Sequence, residues 1–302
     1  MDRVGDIVRK QNSKKLHTGS FIGRYEIDSK VGEGTSGVVY RVYDPLLDRD
    51  SAIKLARTDT LGEEETAHVL AEFRHEAKIA GKFAHENIVT IYDVVSDEHI
   101  DYLVMEFVPG RSLDDYLSAT GPLEIDEALV VAYKTCVGLA YIHYNGVIHR
   151  DIKPANIMYH PAHGTVKLMD FSVAHNIEDQ PSRDLGTIAY MAPEHFDPAR
   201  RISHLTDIFA LGSTLYRLLT GKYPFSREHT AFQILHQDPA PMQNHRAGIP
   251  DEFGQLVQCA MAKADEDRFQ SAVEFAHALE DIAKIVSPQD RVIDTTASYF
   301  AA

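Results

Sequence analysis

The hydrophobic period of the chain changes part-way along its length. From Tyr25 to about Tyr43 the residues read as strand, glycine turn, strand, and residues 51–56, Ser-Ala-Ile-Lys-Leu-Ala, supply a third short strand. This predicts an antiparallel meander. Residues 63–82 switch to helical spacing, with Ala67, Leu70, Ala71, Phe73, Ala77 and Ala80 recurring every three or four positions among charges. Two further strands are expected around Ile88 to Val95 and Ile100 to Phe107. After Pro109-Gly110 the period becomes helical over residues 111–145 and 204–285, interrupted by breakers such as Thr220-Gly221-Lys222-Tyr223-Pro224. Between these blocks, Ile157 to Tyr159 and Val166 to Met169 suit a hairpin-like pair across His160-Pro161-Ala162-His163-Gly164. The boundary between the strand-rich and helix-rich parts is therefore expected near residue 108.

Composition narrows the classes of function. A chain of 302 residues accommodates one or two domains, and about three quarters of its surface can be buried without covalent staples. Cys136 and Cys259 are far apart and lack CxxC or CxxH spacing, which argues against a disulfide scaffold or zinc site and suits a reducing compartment. Against 30 Lys and Arg stand 45 Asp and Glu, a formal charge of -15 without a basic stripe, which disfavours nucleic acid as a partner. The most apolar stretch, Leu205 to Phe225, contains Asp207, Arg217 and Lys222, so it is not a membrane span. The start of the chain lacks the apolar core of a signal peptide. The chain reads as soluble and cytoplasmic, with residues 1–24 as a mobile polar arm and 286–302 as a tail. Its 16 histidines include no convincing ligand frame with a carboxylate, so surface and core roles are the default.

Several segments carry chemistry. Val31-Gly32-Glu33-Gly34-Thr35-Ser36-Gly37-Val38-Val39 is a GxGxxGxV turn between two strands. Glycine there lets backbone N–H groups approach phosphate, although a plain glycine-rich hairpin is an equal reading of this segment alone. Lys54 ends Ala52-Ile53-Lys54 inside an apolar strand, where an ammonium needs an anion. Glu72 and Glu76 stand on one face of the following helix and either could supply it. His149-Arg150-Asp151-Ile152-Lys153-Pro154-Ala155-Asn156, followed by Asp170-Phe171-Ser172, groups three hard oxygen donors with two cations. That set suits magnesium shared with phosphate.

With Ala192-Pro193-Glu194, these segments stand in an order that resembles the eukaryotic-like (Hanks-type) serine/threonine protein kinases from about Tyr25 to Ala283. Tyr43-Asp44-Pro45 and Asp267-Arg268-Phe269-Gln270-Ser271 are most similar to the bacterial branch. The resemblance implies an α+β bilobal fold, with a small antiparallel β lobe over residues 25–108 bearing one main helix and a larger, mostly helical lobe over 109–285. It implies transfer of the ATP γ-phosphoryl group to Ser or Thr hydroxyls of protein substrates. In that reading Asp151 orients the hydroxyl and accepts its proton, Lys153 neutralises charge on the transferring group, and Asn156 and Asp170 hold Mg²⁺. Lys54, held by Glu76, positions phosphates under the glycine turn at Gly32, Gly34 and Gly37. Val39, Ala52 and Met158 line the adenine slot, Met105 guards its back, and backbone groups of Glu106 and Val108 hydrogen-bond the base. Asp207 is expected to brace the catalytic loop and Arg268 to pair with Glu194. Ser182 is the expected activating phosphosite, formed by autophosphorylation in a transient homodimer, with Thr187 contacting the catalytic loop.

Ser172 departs from the family pattern, which has glycine at that point. Serine restricts positive φ, so inward and outward exchange of this segment is expected to be less easy. Two other functions compete: a pseudokinase scaffold, opposed by the retention of Lys54, Glu76, Asp151, Asn156 and Asp170, and a small-molecule phosphotransferase, opposed by Lys153-Pro154 and Ala192-Pro193-Glu194. Ala155 and Arg111 stand where basophilic relatives place carboxylates. A preference for neutral or acidic neighbours of the acceptor is therefore expected.

Overall fold

The computed structural model describes residues 16–34, 37–56, 62–96, 101–176, 188–286 and 293. The chain divides into two compact units, one of residues 1–84 with 89–108 and one of residues 85–88 with 109–302.

The first unit is built on strands β1 (Phe21–Ile22), β2 (Tyr25–Gly34), β3 (Gly37–Asp44), β4 (Arg49–Leu55), β5 (Ile91–Ser96) and β6 (Asp101–Glu106), with helix α1 (Glu63–Ala80). The sheet runs β1-β2-β3-β4-β6-β5, all neighbours antiparallel. Alternation along β2 to β4 turns Ile27, Tyr40, Val42 and Ile53 into one buried cluster with Tyr25, Tyr102 and Val104. On α1, Phe73 and Ala77 pack with Leu103 of β6. The helix starts after Gly62, whose N–H bonds Glu65 (3.4 Å), and stops at Gly81. The arm expected through residue 24 ends earlier, because Phe21 and Ile22 pair with Glu26 and Tyr25 and Ile22 is buried. A two-residue strand is too short to show a period.

The second unit contains β7 (Arg111–Ser112), α2 (Leu113–Thr120), α3 (Ile125–Tyr144), β8 (Val147–Ile148), β9 (Ile157–His160), β10 (Thr165–Leu168), β11 (His175–Asn176), α4 (Leu205–Thr220), α5 (Thr230–His236), α6 (Asp251–Ala260) and α7 (Ala272–Val286). The expected hairpin is β9 with β10, pairing Ile157 with Leu168 and His160 with Thr165. β7 adds to its other edge, and Gly110 permits the approach: with φ +109°, a Cβ there would lie 2.3 Å from the Tyr159 carbonyl. α4 is buried along nearly its whole length and ends at Gly221 in the left-handed region. Among the described residues no helix is long and apolar enough to cross a membrane.

Lys263 follows α6, and its Nζ is buried without a hydrogen-bond partner among the described residues, 4.6 Å from the Phe225 ring centre and 5.7 Å from that of Phe209. Burial, helped by the nearby charge of Arg268 and opposed by that of Asp238, pulls its pKa from 10.5 to about 8. The unfolded chain then holds a proton that the folded chain releases, so stability should rise as pH climbs from about 8 towards 10.5. Lys263→Met should flatten that rise. Melting temperatures of the two proteins at pH 7 and pH 9 check it, and a parallel pH response would exclude Lys263 as the source.

Candidate active site

In the first unit, the hairpin of β2 and β3 places Gly32 opposite Val39 and Gly34 opposite Gly37. Thr35 and Ser36, at its tip, lie outside the described residues. Gly37 has φ +150°, and a Cβ there would stand 2.1 Å from the Leu55 carbonyl oxygen, so this position admits only glycine. Lys54 sits in β4 between Val39 of β3 and Leu103 of β6. Its Nζ donates to Glu76 Oε2 at 2.7 Å, with the two side chains 8% and 6% exposed. Between the two candidate glutamates, packing decides. Glu76 belongs to the α1 stripe formed by Phe73 and Ala77, whereas Glu72 lies one turn earlier, 40% exposed and 3.3 Å from His68. Ala52 and Met105 are cross-strand neighbours and both are buried, as is Val108. The Glu106 N–H is committed to the Thr90 carbonyl at 2.9 Å, so recognition of a base by this residue falls to its carbonyl.

In the second unit, the loop after β8 is held from below by one carboxylate. Asp207, fully buried in the first turn of α4, accepts the His149 N–H on Oδ2 (2.9 Å) and the Arg150 N–H on Oδ1 (2.7 Å). His143, at the end of α3, meets the same Oδ2 at 2.8 Å. Burial alone would raise the Asp207 pKa, but the His143 bond and charge and the His149 backbone donor prevail and hold it below its usual value. These bonds fix Arg150 at φ +69°, a conformation costing about 1–3 kcal/mol for a non-glycine residue. His149 joins the next layer: its Nε2 meets the Met169 carbonyl at 3.0 Å, its Nδ1 faces the Asp151 N–H at 3.4 Å, and its ring lies 4.8 Å from that of Phe171. With Nε2 protonated, both contacts are satisfied.

The carboxylate of Asp151 is clamped by its neighbours. Oδ2 accepts from Lys153 Nζ at 2.6 Å and from Asn156 Nδ2 at 2.8 Å, and Asn156 Nδ2 also reaches the Asp151 carbonyl at 2.8 Å. Since the Asn156 amide nitrogen is engaged, its Oδ1 is the atom with capacity for a cation. Asn156 is chained to Asp170 through the Met169 N–H, which donates to the Asn156 carbonyl at 2.9 Å. Asp170 itself takes φ +60°, in the left-handed region. Ser172 does not have positive φ, so the serine is unstrained in this conformation and its N–H donates to Asp170 Oδ1 at 3.4 Å. Met158 is half-buried in β9, opposite Ser112 and Lys167.

Further along, Glu194 is buried with Arg268, each oxygen taking one guanidinium nitrogen at 2.9 Å, and Thr206 donates to Oε1 at 2.7 Å. Burial opposes its charge, yet the Arg268 pairing leaves its pKa below the usual carboxylate range. Ser182, Gly186 and Thr187 lie outside the described residues. Two anchoring residues carried no sequence signal strong enough to single them out. Asn87 donates to the Val166 carbonyl (3.0 Å) and accepts from the Leu168 N–H (2.8 Å), which ties residues 85–88 to the second unit. His143 was one of many histidines, distinguished only by its place in the last turn of a helix before the catalytic loop.

A clamped carboxylate on a strained, internally pinned loop in one unit, and a buried lysine–glutamate pair with a glycine hairpin in the other, together define the protein kinase class. The family model described as Protein kinase domain matches residues 25–280, and the chain belongs to this family. It is similar to Serine/threonine-protein kinase PknB of Mycobacterium leprae, 36% identical over 265 residues, covering 83% of this chain and 42% of that protein. It is also similar to Serine/threonine-protein kinase PrkC of Bacillus subtilis, 34% identical over 257 residues, covering 83% of this chain and 39% of that protein. The chain thus spans about two fifths of the length of these relatives.

Proposed function

We propose that this domain is an ATP-dependent serine/threonine protein kinase. The observation that carries the reading is the Asp151 carboxylate, fixed by Lys153 and Asn156 on a loop bonded to Asp207. A carboxylate so held can align a substrate hydroxyl and accept its proton as oxygen attacks the γ-phosphorus, while the bond from that phosphorus to the β-phosphate oxygen breaks. Lys153, bonded to the same carboxylate, is assigned to share the charge of the transferring group. Lys54, oriented by Glu76, is assigned to the nucleotide phosphates, with Gly32, Gly34 and Gly37 above them and Val39, Ala52 and Met158 against the base.

The oxygen donors Asp170 and Asn156 fit Mg²⁺, which prefers hard oxygen ligands and shares its shell with phosphates. When bound, Mg²⁺ would neutralise charge on the β- and γ-phosphates. Asp170→Asn should therefore weaken nucleotide binding about tenfold or more in magnesium and much less in EDTA, as read by calorimetry. Equal binding in magnesium would remove Asp170 from the metal assignment. Protein substrates with Ser or Thr acceptors, the cytoplasm as setting, and autophosphorylation at Ser182 by a second copy complete the proposal.

The testing experiment incubates the purified chain with Mg-ATP and a protein containing Ser, Thr and Tyr, then maps phosphosites by mass spectrometry. Phosphate on Ser or Thr supports the reading. Nucleotide binding without any transfer would replace it with a pseudokinase scaffold.

A further inference from the structure

Arginines of this acidic chain commonly meet carboxylates: Arg24 meets Asp44, Arg41 meets Asp50, Arg200 meets Asp265 and Arg268 meets Glu194. Arg217 differs. It lies in the last turn of α4, half-buried, and forms no ion pair among the described residues. Its guanidinium carbon sits 4.4 Å from the Tyr223 ring centre, one terminal nitrogen donates to the Gly221 carbonyl, and its Nε is buried without a partner.

The surroundings of Arg217 connect it to the segment that precedes Glu194. The Tyr223 ring meets that of Tyr190 edge-on at 5.9 Å. Tyr190 closes the short turn Ile188–Tyr190, whose first residue is 52% exposed. Lys222, exposed, adds a second positive charge beside Tyr223. Asp114, in the first turn of α2, is near enough for its charge to act on Tyr190. It makes no ion pair with Arg217.

We propose that Arg217, with Tyr190 and Tyr223, is the receptor for an acidic side chain of the protein substrate near its acceptor hydroxyl. The inference rests on the kinase reading and specifies its substrate class. A guanidinium already stacked on a ring is pre-organised, and a partly dehydrated one with an idle N–H gains most from a carboxylate, which can take two parallel bonds. A basic side chain at this place would face Arg217 and Lys222. Location supports the role. Asp207, which pins the loop carrying Asp151, precedes Arg217 in the same helix by ten residues, about 15 Å of helix at 1.5 Å per residue. An extended peptide covers that distance in about five residues.

The test uses acceptor peptides that carry either Glu or Gln at each position within five residues of a single Thr. Wild type should favour one Glu position about tenfold in kcat/KM, mainly through KM. In Arg217→Gln the Glu-to-Gln ratio at that position should fall close to one, Arg217→Lys should keep part of it, and Arg217→Glu should turn the preference towards Lys. Fluorescence anisotropy of the same peptides reads binding independently of turnover. Transfer with a Glu preference that survives in Arg217→Gln and Arg217→Glu, or with no Glu preference in wild type, would overturn the receptor and leave the kinase reading intact. Arg217-dependent peptide binding without transfer would support the receptor and sink the kinase reading.

Discussion

Asp151→Asn is expected to lower phosphoryl transfer by about 10²–10⁴-fold with the fold and nucleotide affinity retained. Asparagine preserves volume and can still present one oxygen to Lys153 Nζ and Asn156 Nδ2, the two donors that reach Oδ2 in the wild type. What it lacks is a basic site for the hydroxyl proton. Loss should therefore fall on kcat, while ATP affinity measured by calorimetry stays within a few-fold of wild type. Equal turnover by the variant would show that another group accepts the proton and that the clamp on Asp151 serves only structure.

The second large effect is expected at Asp207, where the consequence is mechanical. Its two oxygens receive the N–H groups of His149 and Arg150 and the ring of His143, in a site without solvent. Asp207→Asn replaces one oxygen with an NH₂ group, so in either orientation a donor faces a donor. Leaving such buried groups unsatisfied costs about 2–4 kcal/mol, or roughly 5–15 °C in melting temperature. Activity should fall with it, because the Arg150 N–H bond maintains the left-handed backbone immediately before Asp151.

Acid dependence provides a separate reading of the same residue. The folded pKa of Asp207 lies below the unfolded value, so its contribution is complete above about pH 4 and is lost as pH falls through the lower folded value. The Asp207→Asn protein should accordingly show a shallower loss of stability below pH 4 than wild type. Thermal melts from pH 3 to pH 7 decide it. A variant that melts with wild type, keeps its acid profile and retains transfer would remove Asp207 as the brace.

Much of this molecule is legible in its sequence. The switch of hydrophobic period near residue 108, the glycine hairpin, Lys54 in an apolar strand and the cluster from His149 to Asp170 are signals carried by neighbouring residues. Local sequence sufficed there, because strand and helix periods and the cost of an unpaired buried charge act over a few positions. Tertiary structure decided the rest. Glu72 and Glu76 are equivalent by spacing, and only the seating of Phe73 and Ala77 against Leu103 turns Glu76 towards Lys54. Residues 85–88 read as continuous with the strand-rich part, yet Asn87 binds backbone groups at Val166 and Leu168, a pairing about eighty positions away. The left-handed turn falls on Asp170 and spares Ser172, since backbone angles there follow from the bonds around the loop. Arg217 was one cation within an apolar helix until folding showed it stacked on Tyr223 with no ion pair among the described residues. Whether a charge is paired depends on which distant chains surround it, and a one-dimensional pattern carries no record of that.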